Sequence, residues 1–158
     1  MKIRIPAEWE AQEALIVVFP PKKSDWEHSI KEIHQTYLEF ISQIARFQKC
    51  MVICEDKKTL ATALPSLQNI ELIEMPTNDT WIRDFGGINV YKNGKRQTYD
   101  FIFNAWGNKF EASMDNGITQ RLFDEGYLVG KLKTFDFVLE GGSIDSNGHG
   151  VMLSTAYC

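Results

Sequence analysis

Thr77-Asn78-Asp79-Thr80-Trp81-Ile82-Arg83-Asp84-Phe85-Gly86-Gly87-Ile88 sets charged and aromatic residues against a glycine pair, directly between two apolar runs. A second stretch, Leu139-Glu140-Gly141-Gly142-Ser143-Ile144-Asp145, repeats the outline. In each, a carboxylate precedes a diglycine, an apolar strand-like run follows, and an Asn-Gly pair closes it: Asn93-Gly94 in the first, Asn147-Gly148 in the second. Asn-Gly is a strong signal for a two-residue hairpin, because both central positions take positive φ. The two carboxylates are about 56 residues apart. That recurrence predicts one supersecondary unit used repeatedly, with both acids at equivalent ends of equivalent blades.

Working outward, the chain up to this stretch alternates apolar strands with helices. Ala14 to Phe19 is a continuous apolar run ended by Pro20-Pro21, as expected of a strand buried on both faces. Ser24 and Glu27 have the spacing of a capping box, ahead of a helix that buries Ile30, Ile33, Tyr37, Ile41 and Ile44. Cys50 to Cys54 reads as a strand, Lys57 to Leu64 as a helical turn before Pro65, and Ile70 to Met75 as a third strand. Beyond Asp84 the pattern turns to antiparallel pairs, with Ile88–Tyr91 and Thr98–Phe103 flanking Asn93-Gly94. A weak helix over Asn116–Glu125, stopped by Gly126, leads to a strand over Phe135–Leu139, and Val151–Thr155 pairs back after the second turn. The fold class is therefore α+β.

At 158 residues the chain can form one domain with a sizeable core, and 44% hydrophobic residues fit a globular class. No apolar run approaches the ~20 residues that span a bilayer, and Met1 to Pro6 lacks the apolar stretch of a signal peptide. A net charge of −4 gives no electrostatic case for nucleic acid. Cys50 and Cys54, four apart on one strand, would lie roughly 13 Å apart at ~3.3 Å per residue, too far to bridge. Free thiols point to a reducing cytoplasm. The chain stops at Cys158 just after a strand and holds about 2.8 of the repeats, which predicts part of a larger ring.

For the chemistry, two readings of each residue stand. Asp84 and Glu140, at strand ends beside diglycines, suit cation binding or acid/base work, since glycine pairs let backbone and ligand approach closely. Equally, each acid can cap a turn or pair with a neighbour such as Arg83. Trp81, read in an extended segment on the side of Asp84, can stack on a planar cation or be a core aromatic. Trp106, in Asn104-Ala105-Trp106-Gly107-Asn108, has the same two readings. His28 and His34 sit on the first helix as surface or boundary residues, and His149 beside the second Asn-Gly reads as solvated. No histidine pair has metal-ligand spacing, and there is no phosphate loop or serine elbow. Nothing basic precedes Cys158 to lower its pKa, so it reads as structural.

Four stretches together resemble the agmatine deiminase branch of the guanidine-modifying (pentein) enzymes, which includes peptidyl-arginine deiminases. They are Pro6-Ala7-Glu8-Trp9-Glu10 leading to Phe19-Pro20, Thr77 to Asp84, Phe103 to Gly107, and Leu139 to Ile144. The resemblance implies a five-bladed α/β propeller of ββαβ units around a substrate channel, with about two to three blades in this chain. It implies that Asp84 binds the substrate guanidinium, that Glu140 contacts the catalytic histidine, and that Trp81 lies beside the substrate. It implies no cofactor and no metal.

The family pattern is not complete here. No His-x-Asp occurs anywhere in the sequence, and Cys158 does not align with the family's late nucleophilic cysteine. The expectation is an N-terminal half of one catalytic domain, partnered by the missing C-terminal half or self-associating. The implied reaction is hydrolysis of agmatine to N-carbamoylputrescine and ammonia, on the way to putrescine. In it a thiolate attacks the guanidinium carbon, and a histidine serves the departing ammonia and then the attacking water. A peptidyl-arginine side chain as substrate, or a non-catalytic binding module of the same fold, are the alternatives.

Overall fold

The computed structural model describes residues 2–155, so Cys158 lies outside the described residues. The chain divides into two compact units, Gln12–Ile82 and a second made of Met1–Ala11 with Arg83–Cys158.

The first unit is a parallel sheet, as the β-α-β-α-β pattern predicts. Its strands are β2 (Leu15–Val18), β3 (Cys50–Cys54) and β4 (Ile70–Glu74), in that order. Parallel neighbours need crossovers, supplied by α1 (Ile30–Ala45) and α2 (Lys57–Ala63). Ile41 of α1 and Leu60 of α2 pack on Val17, Cys50, Val52, Cys54 and Leu72, so both helices share one core. All five residues of β3 are buried, which is why that strand is a continuous apolar run. Cys50 and Cys54 are free and buried, as their spacing requires.

The capping box at Ser24 does not form. Ser24 Oγ donates to the Pro21 carbonyl and accepts from Trp26 N–H, so it closes a local turn instead of capping a helix. A 3-10 turn, Glu27–Ser29, intervenes, and α1 begins only at Ile30. The real side-chain cap is on α2, where Asp56 accepts the Thr59 N–H at 2.9 Å.

The second unit is a four-stranded sheet in the order β1 (Ile3–Arg4), β5 (Ile88–Lys92), β6 (Lys95–Ile102), β7 (Lys131–Val138). β5 enters it from α3 (Ile82–Phe85), a four-residue helical turn. β5 and β6 are antiparallel across Asn93-Gly94, whose φ values of 50° and 77° match the expected hairpin. β6 and β7 are parallel, joined through α4 (Ile118–Asp124), so β5-β6-α4-β7 is one ββαβ unit. Gly126 ends α4 as predicted: Gly126 N–H donates to Phe123 and Tyr127 N–H to Leu122, a Schellman closure with φ 82° at the glycine. β7 begins four residues before the apolar run that announced it, because Lys131 to Thr134 pair with Gln97 to Asp100 in the backbone ladder, which no apolar pattern marks.

The second Asn-Gly differs from the first. β8 (Asp145–Ser146) and β9 (Met152–Leu153) pair across a longer loop, and Asn147 does not take positive φ. Its Oδ1 instead accepts the N–H groups of His149 and Val151, leaving Gly148 and Gly150 as the left-handed positions. A side chain at Gly148 would come 2.9 Å from Ala7 N, so this glycine also serves a close approach of the N-terminal segment. His149 is exposed, and His34 is a boundary residue whose Nε2–H donates to the Pro20 carbonyl at 2.9 Å.

Candidate active site

The second unit brings the two diglycine motifs together. Asp84 sits on α3, held by the burial of the next residue, Phe85. The chain then enters β5 through Gly87, where a Cβ would lie 2.7 Å from Thr119 Cγ2 and overlap Thr98. Glu140 follows β7, whose extension Leu139 N–H still donates to Ile102. A 3-10 turn, Gly141–Ser143, comes next, closed by Ser143 Oγ donating to the Glu140 carbonyl at 2.7 Å.

That turn lies directly on α3, which gives the second diglycine its physical reason. A Cβ at Gly141 would overlap the Arg83 carbonyl oxygen, and one at Gly142 would overlap Asp84 Oδ1 and sit 3.2 Å from its Cγ. The bare backbone lets Gly142 N–H donate to the Asp84 carboxylate.

Trp106 joins the two acids. Its indole N–H donates to Asp84, and its backbone N–H donates to Glu140 Oε1 at 3.2 Å. It lies on an unusual turn: Ala105, Trp106, Gly107 and Asn108 have φ of 49°, 54°, 85° and 61°, a left-handed helical turn. Asn104 secures it, its carbonyl accepting Asn108 N–H at 2.6 Å and its Oδ1 accepting Gly107 N–H at 3.0 Å. For the non-glycine residues such a conformation costs about 1–2 kcal/mol each.

Both carboxyls are half-buried and both are held above the usual carboxylate range. For Asp84 the cause is burial, opposed by the Trp106 indole, Gly142 N–H and the Arg83 charge. For Glu140 it is burial and then the Asp84 charge, opposed by the Trp106 backbone N–H and Lys109. The Asp84 charge thus helps to raise Glu140, which places the two acids within electrostatic reach of each other. The alternative partner for Asp84, Arg83, forms its ion pair with Glu8 instead.

Trp81 belongs to the other unit, 44% exposed with its ring 6.1 Å from that of Trp26, so it is no core aromatic. The extended reading of its segment does not hold, because Ile82–Phe85 is helical; even in a strand, three residues would set Trp81 and Asp84 on opposite faces. Trp106 and the Gly142 N–H are what motif reading left unassigned. The one local signal was the run Asn104, Gly107, Asn108, residue types that tolerate positive φ. Among the described residues, no group of three or more His, Cys, Asp or Glu side chains could hold a metal ion. No helix among them is long and apolar enough to cross a membrane.

A family model described as Porphyromonas-type peptidyl-arginine deiminase matches residues 4–158. The chain belongs to this family. Agmatine deiminase of Pseudomonas aeruginosa (strain LESB58) is 32% identical over 164 residues, which cover 98% of this chain and 44% of that protein. A solved C. jejuni agmatine deiminase with substrate bound superimposes with a TM-score of 0.92 at 44% identity, covering 99% of this chain and 46% of the other. An Enterococcus faecalis agmatine deiminase structure gives 0.86 at 30% identity, covering 99% and 44%. The four motif stretches thus identified the right relatives, and the α+β fold is theirs. The chain spans less than half the length of the relatives it matches.

Proposed function

We propose that this chain supplies the carboxylate side of a site that hydrolyses a guanidinium to a urea, with agmatine as substrate and N-carbamoylputrescine and ammonia as products. The observation that carries the reading is the pair Asp84 and Glu140, two half-buried carboxylates from separate motifs held by one residue, Trp106, whose indole N–H donates to Asp84 and whose backbone N–H donates to Glu140. A planar cation presents forked N–H groups that a carboxylate accepts in pairs, and burial strengthens that attraction. Bringing such a cation to Asp84 also relieves the cost of its ionised form, so substrate and carboxylate charge favour each other. In this reading Asp84 binds the guanidinium, Glu140 orients the acid/base histidine, and Trp81 lines the substrate path.

The nucleophile has to be a thiolate. Cys50 and Cys54 do not qualify, since burial pushes both thiols up to about 11 and holds them protonated. We place the catalytic cysteine and histidine outside these 158 residues, in the further length that the relatives possess. There the thiolate attacks the guanidinium carbon, ammonia leaves protonated by the histidine, and water displaces the thiol from the thiouronium intermediate. The ββαβ unit β5-β6-α4-β7 is then one blade of a five-bladed ring, completed by the rest of a single cytoplasmic catalytic domain. Peptidyl arginine is the second reading, supported by the description of the family model.

Agmatine titrated into the 158-residue chain should perturb the carboxyl resonances of Asp84 and the indole proton of Trp106, and Asp84→Asn should abolish the response at the indole. The chain alone should release no ammonia from agmatine above background. Cysteine-dependent turnover by this chain would overturn the division of the site and make Cys158 the thiol to mutate.

A further inference from the structure

The left-handed turn at Ala105–Asn108 is the one strained segment beside the acids, and the proposed chemistry does not call on it. We infer that Trp106 is a positioning residue that holds Asp84 and Glu140 as a pair, and that the turn's conformation serves this purpose. The inference rests on the reading of these two acids as the site.

Consecutive non-glycine residues at positive φ persist only where the surroundings over-determine them. Here the surroundings do so from every side. Ala105 is buried, Lys109 N–H donates back to the Ala105 carbonyl, and Asn104 braces the turn through both its carbonyl and its side chain. The Trp106 ring lies edge-to-face with Phe103 at 5.3 Å and with Phe110 at 5.9 Å, which fixes the direction of its indole N–H. One rigid residue thereby donates its indole N–H to Asp84 and its backbone N–H to Glu140. Without these donors two neighbouring carboxylates would repel, and each would turn toward water. The other charges facing the pair are Arg83, toward Asp84, and Lys109, toward Glu140. Arg83 is tied to Glu8, and Lys109 is an exposed side chain at the end of the turn. Neither bridges the two acids.

The test is a carboxyl NMR titration of the full 158-residue chain and of Trp106→Phe, which keeps a smaller aromatic ring in the packing and removes the indole N–H. Losing that donor disfavours ionised Asp84, so its midpoint should rise in the variant by more than that of Glu140, whose backbone donor remains. A merely structural Trp106 would leave the Asp84 midpoint at its wild-type position, and that result would overturn the inference. A measurement on the unaltered chain covers the case in which the variant does not fold. There the Trp106 indole proton should shift with the Asp84 midpoint and its backbone amide proton with that of Glu140; if neither follows, the inference is wrong. Agmatine added to the same samples separates the two proposals. An Asp84 midpoint that responds to Trp106→Phe in a chain blind to agmatine upholds positioning and removes the substrate reading. Agmatine binding with an unresponsive Asp84 midpoint does the reverse.

Discussion

Replacing Gly142 with alanine should damage the candidate site through one contact. The backbone at Gly142 is not among the positive-φ positions, so alanine is conformationally permitted and the whole cost is steric. The new methyl would overlap Asp84 Oδ1, approach its Cγ to 3.2 Å and meet Arg83 Cγ at 3.9 Å. Asp84 cannot retreat with its backbone, because Phe85 beside it is buried. The carboxylate must rotate instead, dropping the donors Gly142 N–H and Trp106 indole. Hydrogen bonds to a charged group are worth about 1.5–3 kcal/mol each, and a half-exposed carboxylate recovers part of that from water, which leaves a loss of about 1–3 kcal/mol. Urea unfolding should register it as a lower midpoint with an unchanged slope. The decisive assay is a double-mutant cycle with Asp84→Ala. Once the carboxylate is gone the methyl has room, so Gly142→Ala should then cost less than about 0.5 kcal/mol. Equal costs in both backgrounds would refute the claim that this glycine exists for Asp84.

Three further outcomes follow from the structure. Burial raises Asp100, as it does Asp84 and Glu140, so the folded state binds extra protons, and stability should fall as pH rises from the ordinary carboxylate value of about 4 through the folded midpoints. Glu10, Asp56 and Glu111 are lowered by hydrogen bonds and act oppositely, losing their contribution only as pH falls below that range; Asp100→Asn should therefore flatten the upper limb alone in melts taken across pH. Cys50 and Cys54 should resist a thiol reagent at pH 8 until urea unfolds the chain, and rapid labelling of either in the native protein would contradict their burial. Phe137 and Val138 on the end strand β7, with Val151, Met152 and Leu153, expose apolar surface beside a strand edge left unpaired among the described residues, so mass in solution should rise with concentration; a persistent monomer across a dilution series would count against it.

Much of this architecture is written locally. The buried run Cys50–Cys54, the apolar stripe of α1, the Asn93-Gly94 hairpin and the Gly126 stop each depend on residues within a few positions of one another, and each was legible. Asp84, Glu140 and their diglycines were legible as well, because the motif recurs. Where local signals compete, sequence alone misleads: Ser24 closes a turn rather than capping a helix, and Asn147 spends its side chain on two backbone N–H groups rather than adopting positive φ. Tertiary contact decided the rest. That Gly142 is a glycine because Asp84 lies beneath it, and that Arg83 is taken by Glu8, depend on segments brought together only by folding. So does the role of Trp106. Asn104, Gly107 and Asn108 hint locally at its left-handed turn, but the acids it serves, Asp84 on α3 and Glu140 after β7, reach it only through folding, so no local propensity could have announced what the turn is for.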